Sequence, residues 1–202
     1  MRLLVAIPTH DYHHYEFTKC LINLIRRLDS KGVDYEIGIQ GGTLVYMARD
    51  DIAADAVNRK FDKILWLDAD MVFEEDIFEK LDATGKQLVT GVYHGRKPPY
   101  TSCIFAEIMN GPVKVKTYPK EPFRVEGCGF GCILTDVDVF RQMYRKYGNC
   151  FQPSIDYGED LEFCRKANQM GYELWCDPSV VCGHIGQVVV LPNIVEGIQG
   201  ND

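Results

Sequence analysis

A chain of 202 residues, 46% apolar and 25% charged, is large enough to bury one full core. It shows nothing near the roughly 20 continuous apolar residues of a membrane span. A formal charge of −7 leaves no electrostatic footprint for general nucleic-acid binding, only room for a local basic patch.

The opening run Met1–Pro8 is too short for a secretory signal and reads as a strand over Arg2–Pro8. With no such signal, the eight cysteines read as reduced, structural thiols in a cytoplasmic setting. Cys128/Cys132 and Cys176/Cys182 lack the tight paired spacing of a zinc site. Phe17, Cys20, Leu21, Leu24, Ile25 and Leu28 recur at helical spacing, and Lys31-Gly32 closes that helix with a cation and a glycine stop. Tyr35–Gln40 is a second strand, ended by Gly41-Gly42. Met47, Ile52, Ala53, Ala56 and Val57 mark a second helix, and Ile64–Leu67 a strand apolar on both faces. The order β-α-β-α-β calls for a parallel sheet with right-handed crossovers, an α/β fold in a single domain. Ile77 and Leu81 belong to a third helix, and Gln87–Tyr93 to a further strand. From Tyr100 to Arg124, short β-like pieces broken by Gly111-Pro112, Pro119 and Pro122 indicate an antiparallel excursion or a mobile loop region. Glycines alternate over Gly127, Gly129 and Gly131, which marks close backbone approach. They lack the strand-turn-helix setting of a dinucleotide fingerprint. Val137–Tyr147 is a helix, Tyr157-Gly158-Glu159-Asp160 opens another that ends at Gly171, and Tyr172–Cys176 and Val180–Cys182 are short late strands.

The chemistry concentrates at the ends of these elements. Asp68 and Asp70 follow a buried strand, two apart, so on an extended chain they point the same way. Strand carboxyl ends are where open α/β sheets bind ligands, and two carboxylates there suit a hard divalent ion. The competing reading makes Asp68 a turn residue and Asp70 the cap of the next helix, whose first turn is acidic. Glu159 and Asp160 sit at a helix start that keeps carboxylates ionised, as a general base for a hydroxyl requires, or as a plain capping box would have them. His184, between Gly183 and Gly186, is a candidate third ligand for a manganese-like ion. His10, His13 and His14 cluster after the first strand and could line the same site, while Arg49, Arg96 and Lys97 are cations suited to an anionic diphosphate.

Taken in order, Ile7-Pro8-Thr9, Asp68-Ala69-Asp70, Gly158-Glu159-Asp160-Leu161-Glu162-Phe163-Cys164, Met170-Gly171-Tyr172, Pro178 and Gly183-His184 resemble the GT-A fold glycosyltransferases of the family 2 type, over Leu3 to about Gly186. The resemblance implies one GT-A domain over 1–202, with a nucleotide-binding half over about 1–95 and an acceptor-binding half over about 96–190. It implies a nucleotide-diphosphate-sugar donor, a UDP-sugar first, with Mn2+ or Mg2+, and a glycan or other soluble hydroxyl acceptor. Pro8, Thr9, Gln40, Arg49, Asp68, Ala69, Asp70, Arg96 and Gly129 would surround the donor. Asp68 would face the ribose, Asp70 and His184 would hold the metal, and Arg49 would meet the nucleotide. Asp160 would be the base, Glu159 would orient a substrate, and the glycines beside Gly129 would leave space for the sugar. Many relatives carry an aspartate for the nucleobase where this chain has Gln40-Gly41-Gly42. A nucleotidyltransferase and a non-catalytic sugar-nucleotide or glycan binding module are the other readings. The first usually has a basic glycine-rich loop after strand one, where this chain has Pro8-Thr9-His10-Asp11.

Overall fold

The computed structural model describes residues 1–9 and 13–186, with the backbone of 189–190. Strand β1 (Arg2–Pro8), helix α1 (Tyr15–Lys31), strand β2 (Asp34–Gln40), helix α2 (Val45–Asn58) and strand β3 (Lys63–Leu67) alternate as the apolar pattern dictates. Gly32 ends α1 in the left-handed region (φ 64°), where its own amide and that of Val33 close on the Asp29 and Leu28 carbonyls. Then come β4 (Met71–Val72), α3 (Ile77–Ala83), β5 (Leu88–Val92), β6 (Ile104–Glu107), β7 (Val113–Lys114), β8 (Phe123–Val125) and β9 (Gly127–Cys128). The chain continues through β10 (Cys132–Asp136), α4 (Val137–Tyr147), α5 (Glu159–Gln169), β11 (Leu174–Val181), β12 (Gly183–Ile185) and β13 (Val189–Val190).

Seven strands form the main sheet in the order β2-β1-β3-β10-β5-β11-β8. β2, β1 and β3 are mutually parallel, as are β5 and β11, and β10 runs antiparallel between the two blocks. The result is a mixed α/β single domain with a mostly parallel central sheet flanked by helices. The excursion is antiparallel as its broken pattern foretold: β7-β6-β9 form a small sheet of their own, while β8 joins the edge of the main one. Two features differ from the sequence reading. Cys132–Asp136 is a central strand that the glycine run before it hides, and the two late strands are one, β11, with an irregularity between Cys176 and Val181.

Alternation along the buried strands sends side chains to two cores. On one face, Leu3, Val5 and Ile7 meet Phe17, Leu21, Leu24 and Leu28 of α1. On the other, Trp66 lies among Phe130, Phe140 and Phe151 with ring centroids 5.4–5.8 Å away, and its Nε1–H donates to Thr135 Oγ1 at 3.0 Å. Losing one such buried ring to alanine costs about 3–5 kcal/mol, so this aromatic cluster fixes how α4 and the loop after it seat on the sheet. All eight cysteines are free thiols, six of them buried. Among the described residues no helix is long and apolar enough to cross a membrane.

Candidate active site

The carboxyl ends of β1 and β3, the start of α5 and the small β12-β4 ladder meet at a cleft of about 600 Å3. β3 delivers Asp68 to its floor, where the Asp68 amide donates to the Gly131 carbonyl at 3.1 Å. The antiparallel β4–β12 pair sets His184 opposite Met71, which brings the imidazole beside Asp70. Pro8, Thr9, Arg49, Asp68, Ala69, Asp70, Arg96, Gly129, Glu159, Asp160 and His184 all line this space. His14 lines it too. His13 packs edge-on against Phe17, and His10 lies outside the described residues. Gln40 does not line the cleft; its carbonyl accepts the Thr9 amide at 2.9 Å and ties together the ends of β1 and β2.

Arg49 is the hub of the inner wall. Its side chain is 4% exposed, with Nη1 donating to Glu159 Oε1 at 2.6 Å and Nη2 to both Asp68 oxygens at 2.8 and 3.1 Å. Burial opposes its charge, but the two carboxylates more than compensate and raise its pKa further. Both terminal nitrogens are therefore committed to protein partners. Asp160, next in the chain, bonds differently: its Oδ1 accepts the Leu161 amide at 2.7 Å. Burial, and then the Glu159 charge, raise its pKa above the ordinary carboxylate value, with Arg49 opposing.

Asp70 and His184 form the outer group. Their Oδ2 and Nε2 lie 3.3 Å apart, and the Arg96 guanidinium at the exposed rim also pairs with Asp70. His184 Nδ1 donates to the His94 carbonyl at 2.9 Å, which fixes the ring and turns Nε2 toward the cleft. Burial works against the imidazolium, yet the Asp70 bond and charge raise the His184 pKa overall. Burial likewise opposes ionisation of Asp70, while His184 and Arg96 lower its pKa. The expected ligand set of Asp68, Asp70 and His184 thus divides, because Arg49 holds both Asp68 oxygens. Among the described residues no three His, Cys, Asp or Glu side chains gather as a ready ion cage. An imidazole nitrogen and a carboxylate oxygen at this separation, with the ring fixed by the His94 carbonyl, still suit a divalent ion.

Tyr93 is a lining residue that the sequence reading passed over. Its buried hydroxyl accepts the Gly131 amide at 3.0 Å, and a Cβ on Gly129 would stand 2.2 Å from that oxygen. The glycines of this run make room for the Tyr93 ring, so the space expected beside Gly129 is already filled on that side. The signal available was position: Tyr93 directly follows strand β5, as Asp68 follows β3.

No protein-family model and no curated protein matches the sequence. Solved structures do match. The STIV protein A197 superposes over 100% of both chains at 20% identity with a TM-score of 0.64. The catalytic domain of Drosophila β1,4-galactosyltransferase 7, solved in complex with xylobiose, superposes at 15% identity and a TM-score of 0.50, over 87% of this chain and 64% of that one. At these identities the likeness is one of architecture, and the chain has a GT-A-like fold.

Proposed function

We propose that this protein is a metal-dependent glycosyltransferase that moves a sugar from a nucleotide diphosphate, a UDP-sugar first, to a hydroxyl of a glycan or other soluble acceptor. One observation carries the reading: a half-buried carboxyl of raised pKa, Asp160, shares one cleft at the carboxyl end of the sheet with the Asp70–His184 pair and the Arg96 guanidinium. The galactosyltransferase likeness supports the fold that this reading needs.

Each residue then has a defined task. Asp160 accepts the proton of the acceptor hydroxyl, and its raised pKa brings it closer to the working range of a general base. Glu159, tied to Arg49, stands beside Asp160, and its charge helps hold that affinity for the proton. Asp68, fixed by Arg49, presents its carboxylate edge to the ribose side of the cleft. Asp70 and His184 Nε2 would hold Mn2+ or Mg2+, which supplies Lewis-acid neutralisation of the departing diphosphate. Arg96, released from Asp70, turns its guanidinium to the same phosphates.

Calorimetric titration of UDP, GDP, UDP-glucose and GDP-mannose, with Mn2+ and then with EDTA, tests the proposal. The expected result is tight binding of one nucleotide that is lost with EDTA and weakened at least tenfold by Asp70→Ala. Absence of nucleotide binding with metal present overturns it.

A further inference from the structure

Charge is unevenly distributed along the chain. Between His94 and Arg124 there are six basic residues against Glu107 and Glu121, in a protein whose total is −7. All six basic side chains are exposed. Arg96 pairs with Asp70 and Arg124 with Glu173 at 3.2 Å, whereas Lys97, Lys114, Lys116 and Lys120 have no carboxylate partner among the described residues. A strongly acidic protein that gathers unpaired lysines on one excursion presents a local field of the opposite sign.

That field lies at the cleft. Lys114 Nζ donates to Thr101 Oγ1 at 2.6 Å and stands 5.6 Å over the ring of Phe105, which lines the cleft wall. Phe105 in turn approaches Gly127 together with Leu161, the neighbour of Asp160. Cys103, another lining residue, feels both charges: its thiol is raised to about 11 overall, by burial first, with Lys114 opposing and Asp160 adding. Lys116, also exposed, follows two residues on, just past the Val115 amide that bonds the Ile104 carbonyl at 2.9 Å.

We propose that the acceptor is an anionic carbohydrate, whose phosphate or carboxylate groups seat on Lys114 and Lys116 while its reacting hydroxyl reaches Asp160. The proposal rests on the transferase reading and adds the acceptor class to it. Lysines suit this role because a flexible point charge accepts anionic groups in several poses, and their pull is screened by salt.

Binding of tetragalacturonate and of maltotetraose, measured by calorimetry at 50 and 300 mM NaCl, tests it on the intact protein. Tetragalacturonate is expected to bind about tenfold more tightly than the neutral tetrasaccharide at low salt. The advantage should vanish at high salt and in the double variant Lys114→Glu/Lys116→Glu, and survive in Lys114→Arg/Lys116→Arg. Thermal melting of the charge-reversed variant, with both sites exposed, should match the parent and so rule out misfolding. Equal affinity for the two sugars, or a preference that persists in the charge-reversed variant, overturns the proposal. So does lysine-dependent flotation with phosphatidylglycerol vesicles without tetragalacturonate binding, which would make this face a membrane contact. Mn2+-dependent UDP binding, measured in parallel, separates the two readings: lysine-dependent sugar binding without nucleotide binding removes the transferase and leaves an anionic-glycan site.

Discussion

Asp68 and Asp70 are separated by a single residue and share a cleft, yet their surroundings oppose each other. Asp68 is held through both oxygens by a guanidinium that is 4% exposed, and Glu159 completes that inner triad. Asp70 pairs with His184 and with Arg96, whose side chain is 52% exposed. The difference lies in the two cations: a buried guanidinium has no cheap replacement for a lost partner, whereas water takes over readily for a rim cation. The inner group therefore serves as fixed architecture, and the outer group can exchange its partners for a ligand.

Removing Arg49 should break this contrast most severely. Arg49→Met strands Asp68 and Glu159 together, and we expect a loss of about 3–5 kcal/mol in urea denaturation at neutral pH, with transfer lost as well. A loss below about 1 kcal/mol would place the inner triad among weak surface pairs. Asp160→Asn should lower transfer about 10²–10⁴-fold while metal-dependent UDP binding stays intact, and full activity would remove Asp160 from the role of base.

The same variant sharpens the comparison in stability. A carboxyl whose folded pKa is raised favours the protonated fold, so its contribution is present below the unfolded pKa and lost as pH rises through the folded value. Above that folded value the ionised Asp160 is thus a burden, and Asp160→Asn should there melt at or above the parent temperature; a clear drop would contradict this. In the parent, transfer should rise with pH along an acid limb whose midpoint lies above the ordinary aspartate value of about 3.9, and that limb should be missing from the residual activity of Asp160→Asn. The smallest effect is expected at the rim. Arg96→Ala should change stability by no more than about 0.5 kcal/mol while weakening Mn2+-dependent UDP binding, and unchanged UDP affinity would leave Arg96 outside the donor site.

Much of this was legible in the residues because it is local. The buried run Ile64–Leu67 ending in Asp68, the acidic opening of α5 and the Gly32 stop all express short-range rules of period and capping. Cys132–Asp136 escaped because the five residues after a glycine run carry no length or alternation of their own. Only β3 and β5, far earlier in the chain, make them a strand. Arg49 read as a ligand-facing cation because a sequence cannot say which carboxylates will surround a guanidinium. Here Asp68 and Glu159 do so, the latter 110 residues away. Tyr93 was invisible for a similar reason: its partner is a backbone amide, that of Gly131.

The central placement of β10 also sets an order of assembly. Strands β1, β2 and β3 can pair as soon as the first third of the chain exists, but the sheet stays divided until Cys132–Asp136 arrives to bridge β3 and β5. Contacts such as Trp66 Nε1 to Thr135 Oγ1 span 69 residues, and closing loops of that size before any reward is collected slows folding. A ribosome-bound chain of about 120 residues would expose the bare edge of β3, a strand built to be covered on both sides. The strand that supports the floor of the cleft is therefore the clasp of the whole sheet, and the cleft forms only when the sheet closes.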